Sequence, residues 1–201
     1  MSSRSSGEPP TVPDYLFLAF LRDGRFRCVA AALAVLHASG HLDAGGQGTV
    51  RRPEDAATAP PDGLERVIWQ AVHGHVAPGA LAARGPVDTA LTTVRHQLVH
   101  DGALRRLVPT RSWLPARTHR GRKRITLAMQ ACPWPLVPPE QGTRVEDRIG
   151  LPVALYGNYA LRELLPAFAR ESGLLDRSSS DTGPGETYSA PDRSSGYSGG
   201  A

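Results

Sequence analysis

Eighteen prolines and twenty-one glycines punctuate a chain of 201 residues, which limits it to short elements joined by frequent turns. Proline lacks the amide hydrogen that a helix interior needs, and glycine costs backbone entropy there. Hydrophobic residues make up 40% of the chain, enough for one ordinary domain or two small ones packed together. Aromatics are only 6%, so Leu, Val and Ala must supply most of the buried area.

Between the breakers the apolar residues recur at helical spacing, so the fold class expected is mainly α. Met1–Pro13 is polar and reads as a flexible leader. Asp14–Leu21 follows as a short helix with Asp14 as its cap, and Asp23-Gly24 breaks it. Phe26, Val29, Leu33 and Leu36 then mark a helix over Arg25–Ser39 that stops at Gly40. His41–Arg52 reads as a small hairpin around Gly45-Gly46.

The plan then repeats. Asp62 caps a helix striped by Leu64, Val67, Ile68, Ala71 and Val72, and a helical turn follows near Pro78–Ala83. Pro86 opens a long helix carrying Val87, Ala90, Leu91, Val94 and Leu98, and Ala103–Val108 reads as a short strand. The spacing of Val29, Ala32, Leu33 and Leu36 reappears as Val87, Ala90, Leu91 and Val94, a possible duplication. Residues 14–108 are therefore expected to form two tandem winged-helix-like units with short β-hairpins. Residues 109–175 hold a basic segment, a helix over Thr118–Ala131, and C-terminal helices interrupted by Pro152, Gly157 and Pro166. Residues 176–201 are a Ser/Gly-rich tail with too few aliphatic residues to offset chain entropy, and are expected to be disordered.

The order of several motifs resembles an uncharacterised actinobacterial domain family found mostly within conserved hypothetical membrane proteins. The resemblance rests on Pro13-Asp14-Tyr15-Leu16, Asp23-Gly24-Arg25, Val29 through Leu36 ending in His41-Leu42, and Leu64-Glu65-Arg66-Val67. Thr118 with Gly121-Arg122, and Gly150-Leu151-Pro152-Val153-Ala154-Leu155-Tyr156-Gly157, extend it to about residue 175. The resemblance implies neither activity nor catalytic residue. Members carry transmembrane helices and tails rich in Gly and Cys; here no apolar run reaches the roughly 20 residues of a membrane span, and the tail lacks Cys.

The N-terminal residues show no apolar h-region, so a cytoplasmic location is expected. Cys28 and Cys132 belong to no CxxC motif and read as ordinary thiols rather than a disulfide. His96 and His100 share a helix face as zinc ligands do, with His73 or His75 as a third candidate. Gln97 stands where a zincin has its glutamate, and an amide cannot serve as general base. Histidines near a helix C-terminus explain the pair without a metal, so no metal and no cofactor is expected.

The densest charge is basic. Arg105, Arg106, Arg111, Arg117, Arg120, Arg122, Lys123 and Arg124 fall in one stretch without an acid. They suit nucleic-acid phosphates, an anionic membrane surface contacted peripherally, or solvent. Base-reading side chains on the two long helices are scarce, with Arg95 and Gln97 the outward candidates on the second. There is no P-loop, GxGxxG or GxSxG, and no pair of carboxylates in a convincing setting. The expected function is thus a non-enzymatic protein-interaction or regulatory module, with nucleic-acid binding through 105–124 as the alternative.

Overall fold

Ten residues with no polar face determine the architecture. In α1 (Asp14–Asp23) every side chain from Tyr15 to Leu21 is buried. A helix apolar all round must be covered on all sides, and helices from along the described residues pack about it. The computed structural model describes residues 14–54, 59–60, 63–106, 116–134 and 144–175. These are mainly helical, with one small two-stranded antiparallel sheet.

Gly24, at φ 73°, turns α1 directly into α2 (Arg25–Ala38), which buries nine residues from Arg27 to Leu36. Gly40, at φ 74°, ends α2 as expected. The hairpin that follows joins β1 (Asp43–Gly46) to β2 (Thr49–Arg51). Its turn is Gln47-Gly48, not Gly45-Gly46. Consecutive positive φ values of 50° and 76° give the twist a two-residue hairpin loop needs, while the register slips by a residue between Ala44 and Gly46.

The second stretch supplies α3 (Leu64–Ala71), α4 (Pro78–Leu81) and α5 (Gly85–His100). Leu64 and Ile68, then Val87, Leu91, Val94 and Leu98, form their buried stripes. Arg52 ties the first hairpin to the end of α3: its guanidinium lies 4.0 Å over Trp69 and donates to the Trp69 and Gln70 carbonyls at 2.8 and 2.9 Å. Val50 and Val76 exchange both backbone hydrogen bonds, so the segment between α3 and α4 pairs with the first hairpin.

The two stretches expected as tandem units share one core: α1, α2, α3, α5 and the C-terminal helices contribute to one cluster, and two helices precede the first hairpin. The strand expectation needs correction. Of the strand expected over 103–108, the described residues 103–106 show a bridge between Leu104 and Arg117, with Arg105 N–H donating to Ala116 at 3.0 Å and Thr118 N–H to Ala103 at 3.1 Å. Arg105 and Arg106 are exposed beside it. Residues 107–115, Trp113 included, lie outside the described residues, as do Asp62, the leader and the tail.

Past α6 (His119–Ala131), a π-helical turn (Glu146–Gly150) leads into α7 (Leu151–Tyr156), α8 (Asn158–Leu164) and α9 (Pro166–Glu171). Gly157 and Pro166 sit at the breaks where the sequence places them, whereas the expected interruption at Pro152 is absent: helical backbone continues from the π-turn into α7, and Pro152 falls in the first turn of α7, where a proline costs no hydrogen bond. Gly157 has φ 57°, and a side chain there would overlap the Arg27 guanidinium. Among the described residues no helix is long and apolar enough to cross a membrane.

Candidate functional site

Helix α6 is the most exposed long helix, burying only Gly121 and Ile125. Thr118 seats it. The Thr118 hydroxyl accepts from Gly121 N–H at 3.1 Å and donates to the Gly102 carbonyl at 2.7 Å. This cap fixes the first turn of α6 against the end of α5. A methyl group on Gly121 would overlap the Ala103 carbonyl oxygen, so the helix sits directly on that backbone.

The eight basic residues of the segment separate into two roles. Arg117 turns inward and donates to the Arg22 carbonyl at 2.9 Å. Arg124 faces Asp101 at 3.9 Å and lies 5.8 Å from the Phe17 ring centroid. Arg105, Arg106, Arg120, Arg122 and Lys123 are exposed, and Arg111 lies outside the described residues. On the α6 surface Arg120, Lys123 and Leu127 fall at i, i+3 and i+7, one continuous stripe. Leu127, one turn beyond Lys123, remains 54% exposed.

Neither long helix offers a comparable face. Helix α2 is buried over most of its circumference, and the exposed positions of α5 include Thr89, Thr93, His96, Gln97 and His100, with Arg95 half-buried. His96 and His100 do share the outer face of α5, but His100 faces Asp101 at 3.6 Å and His75 lies 3.3 Å from the Thr49 hydroxyl. Among the described residues no group of three or more His, Cys, Asp or Glu comes together to hold a metal.

A second basic cluster, which the sequence reading missed, lies where α1, α2 and α6 meet. Arg27 is buried, paired with Asp23 at 2.6 Å and laid against Gly157. Arg22 is half-buried, and its Nη1 reaches the Met129 sulfur at 3.7 Å. Burial first, then the charges of Arg27 and Arg117, pull its guanidinium below its ordinary value. Tyr156 borders the cluster, donating to the Cys132 carbonyl at 2.6 Å and meeting Trp134 edge-on at 5.3 Å. Arg22 and Arg27 flank Asp23-Gly24 in sequence, but nothing there signals that Arg117 and Tyr156 join them.

Both cysteines are free thiols; burial pushes Cys28 far up, and Cys132 up as well. Tyr15 and Glu65 form a buried pair, the hydroxyl donating to the carboxylate, which locks α1 to α3. Burial, with Glu65 beside it, raises the Tyr15 phenol well above its usual range. No protein-family model, no curated protein and no solved structure matches this chain.

Proposed function

We propose that this chain is a non-enzymatic binding module that docks an acidic protein partner on the exposed face of α6. The observation that carries the reading is Leu127, an exposed apolar side chain in line with Lys123 and Arg120 on one stripe. A partner with carboxylates around an apolar anchor would satisfy all three; a phosphate backbone would leave Leu127 unused. Burial of α2 removes it as a groove-reading helix, and the outer face of α5 is poor in arginine.

Within this reading, α3, α4, α5 and the short ladder of 103–105 with 116–118 form a winged-helix-like unit turned to protein contacts. Its support is the order α3, Val76, α4, α5 and the 103–105/116–118 ladder, with Val76 paired to the first hairpin.

The test is fluorescence anisotropy with two probes, an acidic amphipathic helical peptide and a duplex DNA pool, across a salt series. Peptide binding is expected, and Leu127→Ala should weaken it by about 1 kcal/mol, roughly fivefold. Arg120→Ala with Lys123→Ala should weaken it further. DNA binding that falls steeply with salt, is lost with Arg120, Arg122 and Lys123 replaced by Ala, and ignores Leu127→Ala would transfer the assignment to nucleic acid.

A further inference from the structure

We propose that Arg22, Arg27 and Arg117 form a binding site for a phosphate dianion at the junction of α1, α2 and α6. The site uses none of Arg120, Lys123 or Leu127, so it stands or falls apart from the docking face.

The charge balance carries the inference. Three guanidinium groups meet at this junction, and Asp23, held by Arg27, offsets one of them. Among the described residues Arg117 is engaged by the Arg22 backbone carbonyl. Arg22 has the Met129 thioether, a weak acceptor without charge. Asp23 acts on both Arg22 and Arg27, so among the described residues one carboxylate stands against three guanidinium groups in a partly desolvated place. Half-buried charge without a counter-ion disfavours the fold, and a dianion would match the excess of two.

Arginine forks recognise tetrahedral phosphate oxygens with paired hydrogen bonds, which is why guanidinium groups rather than ammonium groups suit this place. The cluster is also held in advance. Arg27 is fixed between Asp23 and the Gly157 backbone, and Arg117 is anchored through the end of α1. Only Arg22 lacks a firm partner, so it is the group free to turn to an anion. The Tyr156–Trp134 edge beside it, continued by Tyr159 at 4.7 Å from Trp134, offers an apolar wall for whatever carries the phosphate.

The experiment is a thermal-unfolding titration of the full chain with inorganic phosphate against chloride at matched ionic strength. Wild type, Arg22→Gln and Lys123→Gln are compared. Saturable stabilisation by phosphate is expected for wild type and Lys123→Gln. Arg22→Gln should weaken the apparent affinity by about tenfold or more, the loss of one charge-assisted pair. Without phosphate, Arg22→Gln should melt no lower than wild type, because it relieves the excess of positive charge at the junction; a purely structural arginine would lower the melt. The proposal is overturned if phosphate acts no differently from chloride, if Arg22→Gln keeps the response, or if it unfolds the chain.

Discussion

Glycine to alanine inside a helix ordinarily stabilises a protein, by about 1 kcal/mol, because alanine restricts the unfolded chain and favours helical dihedrals. Gly121→Ala should do the opposite. Gly121 lies in the first turn of α6, and the added methyl group would overlap the Ala103 carbonyl oxygen, with the Ala103 carbonyl carbon 3.2 Å and the Leu21 side chain 3.4 Å away. The obstacle is backbone, fixed by the Thr118–Ala103 hydrogen bond, and cannot swing aside as a side-chain tip would. Overpacking of this kind costs about 1–3 kcal/mol. Against fixed backbone the cost falls at the upper end of that range, so after the propensity gain a net destabilisation of roughly 2 kcal/mol remains, a fall in Tm of about 4–8 °C for a chain of this size. Gly85→Ala is the internal control: Gly85 opens α5, has nothing within 4 Å of the added methyl, and should be neutral or slightly stabilising. Urea melts followed by circular dichroism measure both. If Gly121→Ala stabilises as much as Gly85→Ala, α6 does not rest on Ala103, and the orientation that presents Arg120, Lys123 and Leu127 is wrong.

At Gly157 the backbone itself is left-handed, so alanine costs about 1–2 kcal/mol there before displacing Arg27 from Asp23, and the total should reach roughly 3 kcal/mol or more. In an Arg27→Ala background the same substitution should cost only its backbone share, a coupling that a double-mutant cycle in urea reads directly. Tyr15→Phe leaves the buried Glu65 carboxylate without its donor and should destabilise by about 1–3 kcal/mol near neutral pH. Cys28 and Tyr15 hold their protons more tightly folded than unfolded, so their contribution is complete below the unfolded pKa and is lost as pH rises. Stability should therefore fall from about pH 8.5 as the unfolded thiol ionises, and more steeply above about pH 10 as the phenol joins it. Each group adds about 1.4 kcal/mol per pH unit; Cys28→Ala should remove the first part of that slope, and an unchanged slope would contradict the burial of this thiol.

Elements set by local periodicity were legible in the residues. The α2 and α5 stripes, the stop at Gly40, and the breaks at Gly157 and Pro166 depend on spacing and backbone freedom, and these act within a few residues. Leu33, Leu36, Leu64, Ile68, Leu91 and Val94 are all buried as their spacing predicts. The hairpin turn was misplaced by two residues because two glycine signals compete there, and only Gln47 in a left-handed conformation settles which is the turn. Periodicity gives the apolar face of a helix but not what covers it. The buried run Tyr15–Leu21 is the residue-level sign that α1 needs partners on every side, hence from both stretches and the C-terminal helices.

The candidate sites were legible in proportion to how local they are. A run of basic residues is visible in one dimension, but a helix turns successive residues by about 100° and so divides the run. Arg120, Lys123 and Leu127 share the outer stripe, whereas Arg124 faces Asp101 and Phe17. Arg117 precedes the helix and is drawn inward by the carbonyl left open at the end of α1. A charge count over the segment therefore overstates what a partner would meet. It also hides Leu127, which lies past the end of the basic run and enters the face only through the i+7 repeat. The stripe's chemistry is consequently mixed rather than purely cationic, and a mixed stripe selects for carboxylates arranged around an apolar anchor rather than for a uniform row of phosphates.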